Sequence, residues 1–262
     1  MKITLLTSNN IRHNYLINLL SSVAEELFVI QECRTIFPGI VPGFYQTSPL
    51  MKKYFENVNN AQSKLFGYSY VNTLNKNTKI LPVLSGDLNQ CSMNLFSDFL
   101  KSDVYVVFGS SYIKGELADF LVKQKAINIH AGVSPYYRGT DCNFWALYDD
   151  NPHLVGATIH LLSKGLDNGP ILYHAMSNLK TNPFEYTMST VKSAFHSIAE
   201  RIKDSSIFKI RPVIQEKNNE IRYTKKNAFS EEVVEEYFKK EINLNNYKFD
   251  RSLLKEPFFY HN

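Results

Sequence analysis

The chain has 262 residues, of which 44% are hydrophobic and 21% are charged. This composition is typical of a globular protein with one good core, or of one domain with a small appendage. The formal net charge is +4, a surplus too small to indicate a nucleic-acid-binding surface. No run of about 18 apolar residues is present, so we expect no membrane span. Three widely spaced cysteines and no signal-peptide pattern indicate a reducing compartment, and we expect a cytoplasmic protein.

Apolar and amphipathic segments alternate through the first 205 residues. Strands are predicted at 2–8, 26–34, from 78, 104–111, 126–132, 154–162 and 170–177. Helices are predicted at 12–24, 50–67, 91–100, 114–124, 138–150 and 184–203, and a loop with three prolines at 35–49. The short connections within 104–132 predict a right-handed strand–helix–strand unit with parallel strands. We therefore predict an α/β fold, a Rossmann-like open and mostly parallel sheet with helices on both faces.

The remaining residues, 206–262, differ in character and are predicted to form a small C-terminal appendage to a catalytic domain at 1–205. A hairpin is predicted at 213–225 around Asn218 and Asn219, followed by a helix at 231–240 that Ser230 caps. These pieces cannot make a core of their own. We expect them to pack on the main domain or on a second copy of the chain.

Ligands of open α/β sheets bind beyond the carboxyl ends of the strands. That rule directs attention to residues 8–13, 108–113, 128–139 and 163–169. The first of these segments has no glycine, which argues against a dinucleotide-binding turn, and no phosphate-binding loop is present. His153, His160 and His174 show no metal-ligand spacing, so no metal site is predicted.

Three polar residues in these segments form a candidate catalytic set. Asn128 and His130 lie two apart on one predicted strand, so their side chains share a face, and Asp167 follows the next long strand. An Asn amide can donate to a developing oxyanion, an imidazole can move a proton near neutral pH, and a carboxylate can orient the imidazole. Each residue alone also has a purely structural explanation: Asn128 and Asp167 could be turn residues, and His130 could be a buried, hydrogen-bonded histidine. Together they favour acyl transfer to a substrate that supplies its own amine.

The segments NIHAGVSPYYRG (128–139) and GATIHLLSKGLDNGPIL (156–172) resemble the formyltransferase family. Its pattern is Asn-x-His, then a Ser-Pro-x-Tyr-Arg-Gly stretch, then Leu-Asp-x-Gly-Pro. The family includes methionyl-tRNA formyltransferase, glycinamide ribonucleotide formyltransferase and the N-formyltransferases of nucleotide-linked amino sugars. The resemblance covers about residues 103–175. Many relatives have Pro after the motif His, where this chain has Ala131.

The resemblance implies 10-formyltetrahydrofolate as the formyl donor. Asn128 and a protonated His130 would stabilise the tetrahedral oxyanion, and His130 with Asp167 would manage the proton that leaves the amine. Two loops would form the folate site in this family. Here they contain Phe108, Gly109, Ser110, Ser111, Tyr112 and Ile113 in the first loop, and Ser163, Lys164, Gly165 and Leu166 in the second.

The acceptor is expected to be the primary amine of a nucleotide-linked dideoxy amino sugar, as in the biosynthesis of surface polysaccharides such as lipopolysaccharide O-antigen. The opening SNNIRHNYL resembles amino-sugar enzymes, and only some 57 residues follow 205, which disfavours the tRNA enzyme. Arg12 and His13 are candidates for an anionic diphosphate, although a surface Arg and a helix-cap His would look the same.

Further candidates are Tyr136 and Tyr137 for a sugar or base and Arg138 for phosphate, although Arg138 would equally suit an internal ion pair. Two alternatives stay open: a small metabolite amine such as glycinamide ribonucleotide as acceptor, and a non-catalytic folate-binding scaffold. No nucleic acid or membrane partner is expected. A homodimer is expected, because related sugar enzymes are commonly dimers.

Overall fold

A computed structural model describes residues 1–33, 48–67, 70–71, 75–242, 244 and 250–260. Most of the loop predicted at 35–49 lies outside these residues. The strands are β1 (Lys2–Ser8), β2 (Glu26–Cys33), β3 (Thr78–Leu84), β4 (Val104–Phe108), β5 (Ile127–His130), β6 (Tyr137–Gly139), β7 (Ala157–Leu161), β8 (Ile171–Ser177), β9 (Arg222–Thr224) and β10 (Phe258–Tyr260). The helices are α1 (Ile11–Ser21), α2 (Pro49–Phe66), α3 (Met93–Phe96), α4 (Gly115–Lys123), α5 (Cys142–Tyr148), α6 (Pro183–Lys203) and α7 (Glu231–Lys239).

Eight of these strands form one open sheet in the order β10-β8-β7-β5-β4-β1-β2-β3. Its described pairs are parallel, except those that β7 makes with β5 and with β8. The predicted α/β class and the parallel unit formed by β4, α4 and β5 are confirmed. Strand β7 runs against its neighbours, so it ends at Leu161 beside Ile127, the first residue of β5, and the loop between β7 and β8 begins there.

The central strands are buried because helices cover both faces of the sheet. Successive side chains of β1 enter different cores: Ile3 and Leu5 pack with α1 and α6, and Leu6 packs with residues of α4. This alternation is the period of two that a β-strand imposes. Strands buried on both faces read as continuous apolar runs, which is why they were predictable from sequence.

The C-terminal segment departs from the prediction. The hairpin predicted at 213–225 is wrong: Lys217–Asn219 is a 3₁₀ turn, and β9 pairs in parallel with β6. A Cβ on Gly139, which has a φ of +94°, would collide with the carbonyl oxygen of Thr224. Glycine at this position therefore allows β9 to approach β6. The helix predicted at 138–150 starts later than expected, at Cys142, because residues 137–139 form β6.

Two other parts of this segment pack on the main body. Strand β10 adds to the sheet beside β8, and Tyr237 of α7 packs its ring against Tyr54 of α2. The Ser230 side chain accepts a hydrogen bond from the Val233 N–H, which confirms the predicted cap of α7. The helix predicted at 91–100 is shorter than expected, with only Met93–Phe96 α-helical and a 3₁₀ turn after it. Within the described ranges, no helix is both long and apolar enough to cross a membrane.

We expect Phe195→Ala to lower the free energy of unfolding by about 3–5 kcal/mol, because the Phe195 ring is fully buried between α6 and the sheet. Phe208→Ala is the matched control, since that ring is 58% exposed, and it should change stability by no more than about 0.5 kcal/mol. Urea denaturation of both variants measures the difference. Equal losses would contradict the assigned core.

Candidate active site

The carboxyl ends of the central strands open into one cleft of about 1840 Å³. Residues from all four segments singled out in the sequence line it: 8–13, 108–113, 128–139 and 163–169. Helices α2, α5 and α6 supply the opposite wall. The cleft is large enough for two ligands of ordinary metabolite size side by side.

Asn128, His130 and Asp167 meet in the wall of this cleft. The Nδ1 atom of His130 lies 3.4 Å from Oδ2 of Asp167, and Nδ2 of Asn128 lies 3.3 Å from Oδ1 of the same carboxylate. The two side chains of the ion pair are largely buried, with exposed fractions of 6% and 11%. The structure therefore brings together the three residues that the sequence suggested.

The backbone explains the convergence. Asn128 and His130 lie on the same face of β5 and pair across to β7. Asp167 follows β7 in a loop where it has a φ of +48°, in the left-handed region. The Nε2 atom of Gln215 donates to the carbonyl oxygens of Asp167 and Gly169, at 2.9 and 2.8 Å, and so fixes the loop from the C-terminal segment. Gln215 was not predicted, because nothing in its local sequence distinguishes it.

His160 is a fourth buried member of the site, and sequence reasoning assigned it only a structural role. Its Nδ1 atom lies 2.8 Å from the carbonyl oxygen of Leu161, which can only accept, so Nδ1 is the donor. In the neutral ring Nε2 then accepts from Nδ2 of Asn128 at 3.0 Å. His160 thus fixes which end of the Asn128 amide points to Asp167. The cross-strand pairing of residues 128 and 160 was the missing signal.

The electrostatics of the pair assign a protonation state to each partner. Burial lowers the pKa of His130, against the attraction of Asp167. Burial would raise the pKa of Asp167, but the attraction of the neighbouring imidazoles, that of His130 first, brings it below its ordinary value. Near pH 7 the carboxylate is therefore ionised and the resting ring is neutral, and the protonated His130 expected at the tetrahedral stage stays a prediction. Its two nitrogens face acceptors, Asp167 and the Tyr137 carbonyl oxygen, which would stabilise an imidazolium once formed.

One part of the lining consists of the two loops predicted for folate. All six residues at 108–113 line it, together with Ser163, Gly165 and Leu166. The Tyr112 hydroxyl donates to the Lys164 carbonyl oxygen at 2.6 Å and joins the two loops. The side chain of Lys164 pairs with Asp119 instead of lining the cleft.

A second part of the lining contains Arg12 and His13, and the His13 ring packs against Phe108 of the first loop, with ring centroids 4.9 Å apart. The Nη1 atom of Arg12 donates to Oε1 of Gln62 at 3.0 Å. Burial, and then the charge of Arg12, hold the pKa of His13 well below its ordinary value, so its ring is neutral near pH 7. Among the described residues that line the cleft, Arg12 is the one lysine or arginine. An anionic ligand would find its cation there.

Tyr136, Tyr137 and Arg138 are not among the residues that line the cleft. Tyr137 is buried, and its hydroxyl lies 3.2 Å from Oδ2 of Asp149. The Nη1 atom of Arg138 pairs with Glu220 at 2.7 Å, and Nη2 donates to the Leu166 carbonyl oxygen at 3.2 Å. The alternative reading of Arg138 as an internal ion pair is thus the one that the geometry supports.

The cleft also has an aromatic wall made of side chains that the sequence did not single out. They are contributed by four helices far apart in sequence: Tyr54, Phe55, Phe144, Phe184 and Tyr237. Only tertiary packing brings them together, so no local motif marks them. Among the described residues, no group of three or more His, Cys, Asp or Glu side chains is arranged to hold a metal ion.

Comparison with known proteins gives consistent matches. Residues 98–206 match the family model described as formyl transferase. Methionyl-tRNA formyltransferase of Thermosynechococcus vestitus is 37% identical over 73 residues, which are 28% of this chain and 22% of that protein. The chain thus spans about a fifth of the length of that curated relative.

Solved formyltransferase structures share the fold. The PseJ structure from Anoxybacillus kamchatkensis, in complex with UDP-4,6-dideoxy-4-formamido-L-AltNAc and tetrahydrofolate, has a TM-score of 0.51 at 21% identity and covers 87% of both chains. The phosphoribosylglycinamide formyltransferase of Anaplasma phagocytophilum has a TM-score of 0.53 at 16% identity, covering 86% of this chain and 98% of its own. At such low identity these likenesses show the fold.

We expect Asp167→Asn to lower the pKa of His130 further, because the neutral amide no longer attracts the imidazolium. An NMR titration of the imidazole resonances measures the change. Asp149→Asn is the control, since Asp149 pairs with Arg222 and makes no contact with His130. A pKa of His130 that stays unchanged or rises in Asp167→Asn would contradict the electrostatic assignment.

Proposed function

Residues 98–206 belong to the formyl transferase family, and on that premise we propose that the protein transfers a formyl group to the primary amine of a nucleotide-linked dideoxy amino sugar. The observation that carries the proposal is the meeting of Asn128, His130 and Asp167 in a cleft that is also lined by the loop at 108–113 and by Arg12. Bound 10-formyltetrahydrofolate would supply the formyl carbon.

The three side chains divide the work of the transfer. The neutral ring of His130 accepts the proton that the amine loses as its nitrogen bonds to the formyl carbon. Asp167 stabilises the imidazolium that results, and the same proton is then available to the departing folate nitrogen. In the structure the Asn128 amide nitrogen is shared by His160 and Asp167, and the longer contact, 3.3 Å to Asp167, is the one it would exchange for the carbonyl oxygen as negative charge develops there.

The part of the cleft that residues 108–113 line fits the folate. A pterin is flat and carries amide-like donors and acceptors, which suit exposed loop backbone between apolar walls. Ile113, Ala118, Leu162 and Leu166 supply those walls. The loops at 108–113 and 163–166 would therefore hold the pterin with its formyl group toward His130.

The part of the cleft that Arg12 and the aromatic wall line is the proposed acceptor site, and it fits a nucleotide-linked sugar. Arg12 offers a guanidinium for a diphosphate, and the aromatic wall offers ring faces for a sugar or base. The PseJ structure has a nucleotide-linked formamido sugar bound. Glycinamide ribonucleotide is the second candidate acceptor, because a phosphoribosylglycinamide formyltransferase shares the fold. Participation in lipopolysaccharide O-antigen synthesis, and a homodimeric state, stay predictions from the sequence.

We expect the purified protein to convert an amino sugar linked to UDP or dTDP into its formamide when 10-formyltetrahydrofolate is supplied, and to leave glycinamide ribonucleotide unchanged. Mass spectrometry of the products in parallel reactions measures both. His130→Ala should lower kcat by about 10²–10⁴-fold, because the proton acceptor is lost. Its affinity for 5-formyltetrahydrofolate should stay close to that of the wild type.

Formylation of glycinamide ribonucleotide alone would move the assignment to the second acceptor. Folate binding without transfer to either amine would favour the scaffold alternative. Wild-type turnover by His130→Ala would reject the role given to that ring.

We expect Arg12→Ala to raise KM for the nucleotide sugar by about 10–100-fold, because charge-assisted hydrogen bonds to the diphosphate are lost. Steady-state kinetics at saturating folate measure the effect, and KM for the folate should not change. Arg251→Ala is the matched control, because Arg251 is exposed and lies over the ring of Phe259, outside the cleft lining. Equal KM values for the wild type and Arg12→Ala would remove Arg12 from the acceptor site.

A further inference from the structure

Glu32 is a buried acid at the carboxyl end of β2, outside the catalytic trio. Its exposed fraction is 3%, and it lies on the wall of the cleft. No lysine, arginine or histidine nitrogen of the described residues lies within 4 Å of its carboxylate. A buried charge without a cation is costly unless hydrogen-bond donors surround it.

The donors come from two neighbouring strand-end loops. The backbone N–H of Ser111 donates to Oε2 at 2.5 Å, and the Ser111 hydroxyl donates to Oε1 at 2.8 Å. The backbone N–H of Gly86, in the turn after β3, also donates to Oε1 at 2.8 Å. One carboxylate thus ties the end of β2 to the turn after β3 and to the loop after β4.

The chemistry of these contacts requires an acid. Both oxygens of Glu32 accept, which a carboxylate allows and a glutamine does not, since one of its two terminal atoms is an amide nitrogen that donates. In a glutamine variant that nitrogen would face either the Ser111 N–H or the donors now bound to Oε1. Hydrogen bonds to an ionised acceptor are also the stronger kind.

We propose that Glu32 is a positioning residue that holds the backbone of the loop at 109–113 in the shape that receives the pterin. The inference rests on the proposed function, which assigns that loop to the folate. Glu32 acts through Ser111, so it affects the binding of the folate. It does not affect the formyl transfer itself or the binding of the acceptor.

Glu32→Gln should therefore raise KM for 10-formyltetrahydrofolate by about tenfold or more. Its kcat at saturating folate should stay within about twofold of the wild type, and KM for the nucleotide sugar should not change. Calorimetric titration with 5-formyltetrahydrofolate should show the same loss of affinity. Asp87→Asn is the control: Asp87 accepts from the Leu84 N–H at 2.9 Å in the same turn as Gly86 and should leave folate KM unchanged.

A double-mutant cycle with Ser111→Ala separates positioning from direct contact. Removing the Ser111 hydroxyl should weaken folate binding in the wild type and cost less in Glu32→Gln, because one of the hydrogen bonds that hold the loop to residue 32 is already lost. Additive effects, or a folded Glu32→Gln with wild-type folate KM, would overturn the inference. If Glu32→Gln does not fold, Glu32→Asp takes its place, and an unchanged folate KM in that variant overturns it equally. Failure of the wild-type protein to bind 5-formyltetrahydrofolate would instead reject the proposed function.

Discussion

The buried carboxylate of Asp167 is the group on which the site depends. It lies within 3.4 Å of His130 and 3.3 Å of Asn128, and each of these contacts is made in a region that water hardly reaches. The charge of Asp167 favours an imidazolium beside it, while burial disfavours that charged form and lowers the pKa of His130 overall. The ring is thereby kept neutral at rest and stabilised after it takes a proton. A general base needs that combination.

The fold supplies this arrangement through one reversal of strand direction. Because β7 is antiparallel to β5, it ends beside Ile127, the first residue of β5, and the loop that follows carries Asp167 into contact with Asn128 and His130. The same pairing sets His160 opposite Asn128 and fixes the orientation of its amide. The loop proposed to receive the folate follows β4, the other neighbour of β5, so it lies beside the strand that carries Asn128 and His130.

The sequence predicted the parts that are local and missed the parts that are assembled. Buried strands read as apolar runs, and period two placed Asn128 and His130 on one face, so the sheet and most of the trio followed from pattern. The aromatic wall was missed because its side chains come from separate helices. Tyr137 was expected at a ligand and lies in the core, since its strand pairs with β9 instead of opening a helix. Asn218 and Asn219 were predicted to form a hairpin turn, but β9, the strand that follows them, pairs with β6.

The carbonyl oxygens that Gln215 contacts give the C-terminal segment a direct part in the active site. This glutamine lies beyond the region that matches the family model, yet its amide nitrogen holds the loop that carries the central carboxylate. The chemistry is thus encoded in one stretch of the chain and its alignment in another. A change in this tail alone would therefore displace the central carboxylate and leave the three residues of the trio unchanged in sequence.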